Sequence, residues 1–235
     1  MSKAVYLSPS MQEHNEGVCG YGTEEIRMNQ VTDLVEKALL RHGITVYRNK
    51  PDWTLQKVVR DSNSKKPDIH FAIHSNAGNA RGCEVFCHKF GGSGEKLARA
   101  VFAELEPLTP SADRGVKEGC NLYGFGKPIY ELAKTDAPAA LVEVGFHDSE
   151  EDAKWIIENT EKIGIAIAKG VLRYFGMEYI SESYEIEQAV KVLEEKGIIT
   201  DSDYWVNNAV PGRIVRGEFA ATLIKRAASI LKGGN

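Results

Sequence analysis

Cysteine is scarce in this chain, which has four cysteines among 235 residues and no CxxC pair. So few cysteines cannot form a disulfide framework in a chain of this length, and reduced thiols are expected. Cys83, Cys87 and His88 lie in a strand-like run, GCEVFCHKF. Because successive residues of a strand face opposite sides of a sheet, this run disfavours a metal site shared by the three side chains.

An excess of positive charge and long apolar runs are also missing. The formal net charge is −4, which argues against the basic face that binding to nucleic acid phosphates requires. No apolar stretch reaches the roughly 18 residues of a membrane span, so no membrane insertion is expected. The first residues, MSKAVYLSPS, hold an apolar run too short for a signal peptide. These features predict a cytoplasmic protein that stays there until it is released.

The residues that are present predict alternating strands and helices. Apolar residues make up 43% and charged residues 26% of the chain, which is typical of globular proteins. Strand-like runs cover 3–7, 44–48, 68–74, 82–88 and 139–146, and helical patterns cover 23–42, 55–63, 94–108, 128–135 and 148–176. Residues 111–128 are predicted as a loop, extended near 121–123. The order predicts an α/β fold, a mainly parallel twisted sheet with helices on both faces.

Two helix boundaries carry cap signals. Thr23 is a good N-cap for the first long helix, which Gly43 ends. The pattern over 148–176 holds one helix or two, capped by Asp148 or Ser149.

The composition changes after Gly176. Residues 1–176 are predicted as the main domain, 177–184 as a linker and 185–235 as a small all-helical domain with helices near 185–196 and 217–231. About 50 residues bury only a modest core. The small domain is therefore expected to pack on a second copy, as a homodimer, or on the main domain.

Ionisable residues cluster where the predicted strands end, and this edge of an open parallel sheet is where sites form. His14 follows the first strand, His74 ends the third, and Glu24 opens the first helix. Two histidines and a carboxylate are a common ligand set for catalytic zinc. Each residue also has a plainer interpretation: a surface histidine, a strand-end histidine, or a carboxylate interacting with the helix dipole.

Two glutamates carry further signals. Glu24 continues the apolar stripe of its helix backwards and is expected to point inward, whereas Glu25 lies about 100° further round and is the alternative ligand. Glu143 lies inside the apolar run ALVEVGF, where an unpaired charge is costly. It is predicted either to act as general base and acid beside the metal, or to form a structural ion pair with Arg114.

At these residues the chain resembles the zinc-dependent N-acetylmuramoyl-L-alanine amidases of bacterial autolysins and clostridial phage endolysins. The resemblance rests on four pieces in order: a histidine soon after the first strand, a glutamate opening the first helix, IHSNA at 73–77 and LVEVGF at 141–146. It implies that His14, Glu24 and His74 bind Zn²⁺ and that Glu143 is the catalytic residue.

The resemblance also implies a function, hydrolysis of the amide between N-acetylmuramic acid and L-alanine in peptidoglycan, which degrades the cell wall after release of the enzyme. Asn76 lies beside His74, and Arg114 lies in DRGVK (113–117), similar to a family loop whose polar groups face the peptide; both are expected to bind substrate. The segment KGIITDSDYW resembles small helical domains of clostridial lysins, which implies cell-wall targeting.

Two other functions fit the same residues. A zinc peptidase that cleaves the stem peptide or cross-bridge uses the same ligands, and the residues do not separate it from an amidase. A wall-binding module without activity is disfavoured, because all three ligands and the acidic residue are present.

Overall fold

A computed structural model of the protein describes residues 3–111 and 114–233. Asp113, the first residue of the DRGVK segment, lies outside the described residues. Contacts divide the chain into two compact units, Met1–Tyr179 and Ile180–Asn235.

The first unit alternates strands with helices, as the sequence predicts. Its strands are Ala4–Pro9 (β1), Glu16–Gly17 (β2), Gly22–Thr23 (β3), Thr45–Arg48 (β4), Ile69–Asn76 (β5), Glu84–Cys87 (β6), Val116–Glu118 (β7) and Ala139–Phe146 (β8). Its helices are Glu24–Arg41 (α1), Leu55–Lys65 (α2), Ser93–Leu105 (α3), Tyr130–Lys134 (α4), Glu150–Glu158 (α5) and Thr160–Tyr174 (α6). A 3-10 turn, Glu106–Leu108, follows α3.

Six of these strands form one sheet in the order β4-β1-β5-β8-β6-β7. All neighbouring pairs are parallel except β6 and β8, which run antiparallel. The prediction of a mainly parallel sheet is therefore confirmed. The short strands β2 and β3 form a separate antiparallel ribbon before α1.

Side chains alternate between the two faces of the sheet, and each face is covered by helices. Odd-numbered positions of β5, such as Ile69 and Phe71, join the large core that α1, α3 and α6 cover. Even-numbered positions face the other side, where Ala72 packs with residues of α4 and the His70 ring bonds α2. The predicted layering, with helices on both faces, is confirmed.

Close helix packing over the large core depends on glycine. A Cβ atom at Gly170 of α6 would lie 2.4 Å from Val101 Cα of α3, and one at Gly164 would lie 2.6 Å from Leu34 Cβ of α1. Real Cβ contacts are not this short, so only glycine allows α6 to approach both helices at this distance.

Two predictions in this unit needed the structure to settle them. The pattern over 148–176 is two helices, and Ser149 caps the first by accepting a hydrogen bond from Asp152 N. The Asp148 carboxylate bonds the backbone N–H groups of Gly78 and Asn79 instead. The extended piece expected near 121–123 was wrong, because the strand lies at Val116–Glu118, where it pairs with β6.

The second unit consists of three helices with a core of their own, in the part of the chain that the structure describes. They are Glu182–Glu195 (α7), Ser202–Asn208 (α8) and Gly217–Gly233 (α9). Val190, Ile198, Ile199 and Trp205 form the buried centre. Met177 and Tyr179 of the predicted linker pack against the core of the first unit, and Ser181 caps α7.

Within the described ranges, no helix combines the length and apolarity needed to cross a bilayer.

Candidate active site

Strand pairing places three ionisable side chains side by side on one face of the sheet. His74 of β5 is in register with Glu143 of β8, and Glu143 is in register with Glu84 of β6. Partners in register project to the same face. A histidine and two glutamates therefore form a row across three strands, close to the ends of β5 and β8.

Helix α1 brings a third carboxylate to this row. Thr23 caps the helix by accepting a hydrogen bond from Ile26 N, and Glu24 is its first residue. The Glu24 side chain is only 1% exposed and belongs to the buried stripe that continues through Met28 and Val31. The inward orientation expected for Glu24 is confirmed.

The Glu24 carboxylate contacts His74 directly. Its Oε1 atom lies 2.8 Å from His74 Nδ1, and its Oε2 atom accepts a hydrogen bond of 3.0 Å from Asn15 Nδ2. Burial alone would raise the pKa of Glu24, but the hydrogen bond and charge of His74 hold it below its usual value. Burial alone would lower the pKa of His74, but the Glu24 hydrogen bond and the charges of Glu24 and Glu143 raise it to about 9. In the metal-free protein both shifts favour the charged form of the pair.

Glu143 lacks such compensation. Its Oε2 atom is buried and has no hydrogen-bond partner among the described residues. Burial raises the pKa of Glu143 to about 8, against the effect of the positive charge on His74 and with the help of the negative charges of Glu24 and Glu84. A carboxyl that holds its proton near neutral pH and has a free oxygen is suited to proton transfer.

Glu84, the last member of the row, is neutralised by cations. Its carboxylate accepts hydrogen bonds from Arg114 Nε at 2.8 Å, from Lys117 Nζ, and from Asn76 Nδ2 at 2.7 Å. Arg114 was the alternative partner for a structural ion pair with Glu143. It pairs with Glu84 instead, so this alternative is not supported. Asn76 and Arg114 both lie beside the row, because each donates a hydrogen bond to Glu84.

His14 is placed differently from the other predicted ligands. Its side chain is 91% exposed, and its Nε2 atom lies 3.4 Å from a Glu13 carboxylate oxygen. The next residue, Asn15, is tied to Glu24 by its side chain and by its carbonyl, which accepts the Glu24 N–H at 2.8 Å. The structure thus brings Glu24 and His74 together and anchors the loop that carries His14 next to them. Within the described ranges, no three His, Cys, Asp or Glu residues form a metal cluster.

The sequence reasoning missed Glu84 and Lys117. Glu84 lies in GCEVFC and carries the same signal as Glu143, an acid inside an apolar run, and that signal was sufficient to find it. Lys117 is on the short strand β7, in a segment predicted to be loop, and it ends the DRGVK segment, whose likeness to a family loop is the signal that could have found it. Cys83 and Cys87, from the same run as Glu84, are buried in the large core.

Comparisons with known proteins identify the family of this chain. The Amidase_3 family model, described as N-acetylmuramoyl-L-alanine amidase, matches residues 5–173. The chain belongs to this family.

Individual proteins are similar to this chain in sequence or in structure. A germination-specific N-acetylmuramoyl-L-alanine amidase of Bacillus subtilis is 27% identical over 142 residues, 58% of this chain and 57% of that protein. The solved amidase AmiC2 of Nostoc punctiforme has a TM-score of 0.65 at 22% identity and covers 74% of this chain and 97% of its own. The catalytic domain of the CD27L endolysin, which targets Clostridia Difficile, has a TM-score of 0.61 at 19% identity and covers 77% and 100%. The chain spans about half the length of the curated relatives it matches.

Amidases of this family are generally zinc-dependent, and the residues present here fit that ion. A buried carboxylate and an imidazole already lie 2.8 Å apart, and both are ligand types that zinc prefers. A second imidazole, His14, is one residue from Asn15, which bonds the same carboxylate. Glu143 is in register with His74, and its buried Oε2 atom has no hydrogen-bond partner among the described residues.

The raised pKa of Glu143 predicts how pH affects the stability of the metal-free protein. Between the ordinary glutamate pKa near 4.5 and about 8, the native state holds a proton that the unfolded state releases. The free energy of unfolding therefore falls as pH rises through this range. The glutamine in Glu143→Gln cannot ionise, so the free energy of unfolding of this variant does not fall for this reason as pH rises. Its stability relative to wild type is expected to rise by at least about 1.4 kcal/mol, the equivalent of one pKa unit, between pH 5 and pH 9.

Urea unfolding of metal-free wild type and Glu143→Gln at several pH values, followed by circular dichroism, measures this difference. Other titrating groups are shared by the two proteins and cancel in the comparison. Parallel stability curves for the two proteins would show that Glu143 is not a buried acid with a raised pKa.

Proposed function

We propose that the protein hydrolyses the amide bond between N-acetylmuramic acid and the L-alanine of the peptidoglycan stem peptide. The observation that carries this proposal is the buried Oε2 atom of Glu143, which has no hydrogen-bond partner among the described residues. Glu143 is in register with His74, which bonds Glu24. Membership of the amidase family supports the choice of bond, as does the activity for which the Bacillus subtilis relative is named. The endolysin neighbour supports a bacteriolytic role.

His14, Glu24 and His74 are the proposed zinc ligands. Glu24 and His74 are already in contact, and a His14 side chain turned inward from the loop that Asn15 anchors would complete the set. When bound, Zn²⁺ supplies a Lewis acid that polarises the scissile carbonyl and lowers the pKa of its water toward about 7. His74 must be neutral to act as a ligand, so ligation competes with its proton.

Glu143 is the proposed proton carrier. In its ionised form it takes a proton from the attacking water as the new C–O bond forms, and it gives that proton to the alanine nitrogen as the C–N bond breaks. A carboxyl whose pKa is about 8 is near the optimum for exchanging a proton in both directions at neutral pH. Its position on the rigid strand β8 keeps the carboxyl in place throughout.

Asn76, Arg114 and Lys117 are the proposed contacts to the stem peptide. The two cations share the single carboxylate of Glu84, so one positive charge remains beside the row. Stem peptides carry carboxylates, which a partly neutralised arginine and lysine can pair with. Arg114 is about one-third exposed, and its Cζ atom lies 5.0 Å from the Phe146 ring centroid.

The mechanism predicts that Glu143→Gln folds and binds zinc but loses turnover. The amide keeps the shape of the side chain and cannot accept the proton of water, so kcat is expected to fall by at least about 10²-fold. Digestion of purified peptidoglycan, followed by mass spectrometry, measures both rate and product. Wild type is expected to release intact stem peptides that begin with L-alanine.

The products also separate the alternatives. Fragments cut inside the stem peptide or cross-bridge would identify a zinc peptidase. Wall binding without any product would identify a binding module. Wild-type turnover by Glu143→Gln would remove the proposed role of Glu143.

Zinc binding provides a separate test of the ligand set. His14→Ala, Glu24→Gln and His74→Ala are each expected to weaken zinc binding by at least about 100-fold, because each removes a ligand. Glu25→Gln is the matched control, since Glu25 is the neighbouring glutamate in the same helix turn and is expected to leave affinity within about twofold. Calorimetric titration of metal-free protein with Zn²⁺ measures these affinities.

The pattern of losses identifies the ligands individually. If Glu25→Gln weakens zinc binding and Glu24→Gln does not, Glu25 is the ligand and Glu24 is not. Wild-type affinity in His14→Ala would leave Glu24 and His74 and remove His14 from the set.

We propose that the second unit attaches the enzyme to the cell wall. Its core is independent of the first unit, since it is built from residues of α7, α8 and the segments beside them. It also exposes large apolar side chains, Ile214 at 86%, Ile224 at 67% and Leu231 at 81%. Exposed apolar surface of this kind marks an interaction site, and self-association as a homodimer is the competing role.

Removal of the second unit after Tyr179 tests this role. The shortened chain keeps Met177 and Tyr179, which pack on the core of the first unit. It is expected to retain zinc and lose about tenfold in affinity for purified cell walls in a sedimentation assay. Unchanged affinity would argue against attachment. A change from dimer to monomer in analytical ultracentrifugation would assign the unit to self-association.

A further inference from the structure

A loop between β7 and α4, residues 120–128, exposes three large apolar side chains within four positions. Leu122 is 44% exposed, Tyr123 68% and Phe125 99%. Single exposed apolar residues are common, but a contiguous set at a loop tip is a sign of a binding surface.

This 120–128 loop is well ordered by its own hydrogen bonds. The bonds are Ile129 N to Gly119 O at 2.8 Å, Gly126 N to Asn121 Oδ1 at 2.8 Å, Lys127 N to Gly124 O at 2.9 Å, Gly124 N to Asn121 O at 3.0 Å and Tyr123 N to Lys127 O at 3.2 Å. Gly124 and Gly126 adopt positive φ angles of 115° and 72°, which only glycine adopts freely. The aromatic side chains are thus presented in advance of binding, which reduces the entropy lost on association.

The base of the loop is fixed to the sheet face that carries Glu143. A Cβ atom at Gly119 would lie 2.9 Å from Ile129 Cδ1, and Ile129 packs with Phe86 and Leu141 on that face. Leu141 is two residues before Glu143 on β8, so the two side chains project to the same side.

The base of the loop lies a short distance from Glu143 along the sheet. Gly119 N bonds the carbonyl of Cys87 at 2.7 Å, and Cys87 pairs with Ala140, three residues before Glu143 on β8, which is about 10 Å along a strand. Partial burial and the negative charge of Glu143 raise the pKa of the Tyr123 hydroxyl, in agreement with this position. Phe125, two residues further along, is almost fully exposed.

The chemistry of the surface favours sugar over peptide. The loop contains one charged residue, Lys127, and no acid. Aromatic rings have an electron-rich face, which attracts the polarised C–H groups on the flat side of a pyranose. The stem peptide is acidic, and its carboxylates are expected to pair with Arg114 and Lys117, the two cations that contact Glu84.

We propose that the 120–128 loop binds the glycan strand of peptidoglycan, with Phe125 and Tyr123 stacked on sugar rings that neighbour the muramoyl residue being cleaved. This inference rests on the proposed function, because the site must act on a glycan-linked peptide for the loop to meet sugar. It assigns the glycan to the 120–128 loop and the peptide to Arg114 and Lys117.

The test uses the full chain and glycan strands that have been stripped of stem peptides, which contain no cleavable amide. Phe125→Ala is expected to weaken binding of these strands by about tenfold, whereas Phe125→Trp, which keeps an aromatic face, stays within about threefold. Leu40→Ala is the control. Leu40 is 53% exposed and lies in the last turn of α1, about 24 Å along the helix from Glu24; its removal is expected to leave binding unchanged.

Fluorescence makes the test local to the loop. Phe125→Trp places an indole at the loop tip, and the wild-type spectrum is subtracted because the chain already has three tryptophans. The difference emission is expected to shift to shorter wavelength when peptide-free glycan strands are added, whereas free stem peptide produces no shift. Since Phe125 is almost fully exposed, neither substitution is expected to alter the melting temperature, which serves as the folding check.

Unchanged glycan affinity in Phe125→Ala together with an unshifted indole emission would overturn the inference, as would a response to stem peptide alone. Failure of the proposed function is seen separately, as the absence of cleaved amide when wild type digests intact peptidoglycan.

Discussion

The pairing of β5 with β8 is the constraint on which the site depends. Parallel strands in a fixed register place His74 beside Glu143, and the antiparallel β6 adds Glu84 to the same row. A shift of one residue in either pairing would turn these side chains to the opposite face, into the aliphatic core. The apolar residues that alternate with the row, such as Ile73 and Val142, prevent such a shift because they are fully buried. The same alternation that builds the core therefore positions the chemistry.

Three carboxylates in one small volume must be compensated, and each is treated differently. Glu24 is paired with His74, and Glu84 is held by Arg114 and Lys117. Glu143 lies between them and receives neither a cation nor a hydrogen bond at Oε2 among the described residues. Protonation is the remaining way to bury it, which explains why its pKa is raised to about 8. The raised pKa that suits Glu143 to proton transfer therefore arises because the nearby cations are paired with Glu24 and Glu84.

Much of this arrangement was predictable from the sequence, because periodicity reports which side of an element is buried. The alternation of strands and helices, the inward direction of Glu24 and the burial of Glu143 all follow from that signal. It does not describe loops, whose conformation depends on tertiary contacts. The outward position of the His14 side chain and the strand at Val116–Glu118 were therefore beyond it. Helix α8, which lies between the two predicted helices of the second unit, is seven residues long and too short for a clear period.

A second histidine–glutamate pair on the same sheet face shows what separates a structural acid from a reactive one. His70 Nε2 lies 2.7 Å from Glu131 Oε1, and His70 Nδ1 lies 2.9 Å from Ser62 Oγ. All three side chains are buried, and the charge and hydrogen bond of His70 keep the pKa of Glu131 low despite its burial. A closed network of this kind stabilises the contact of α2 and α4 with the sheet and leaves no atom free for chemistry. Glu143, on the neighbouring strand, differs in having an oxygen without a partner. Burial alone therefore does not identify a catalytic acid, and the incomplete hydrogen bonding of Glu143 is the feature that distinguishes it from Glu131.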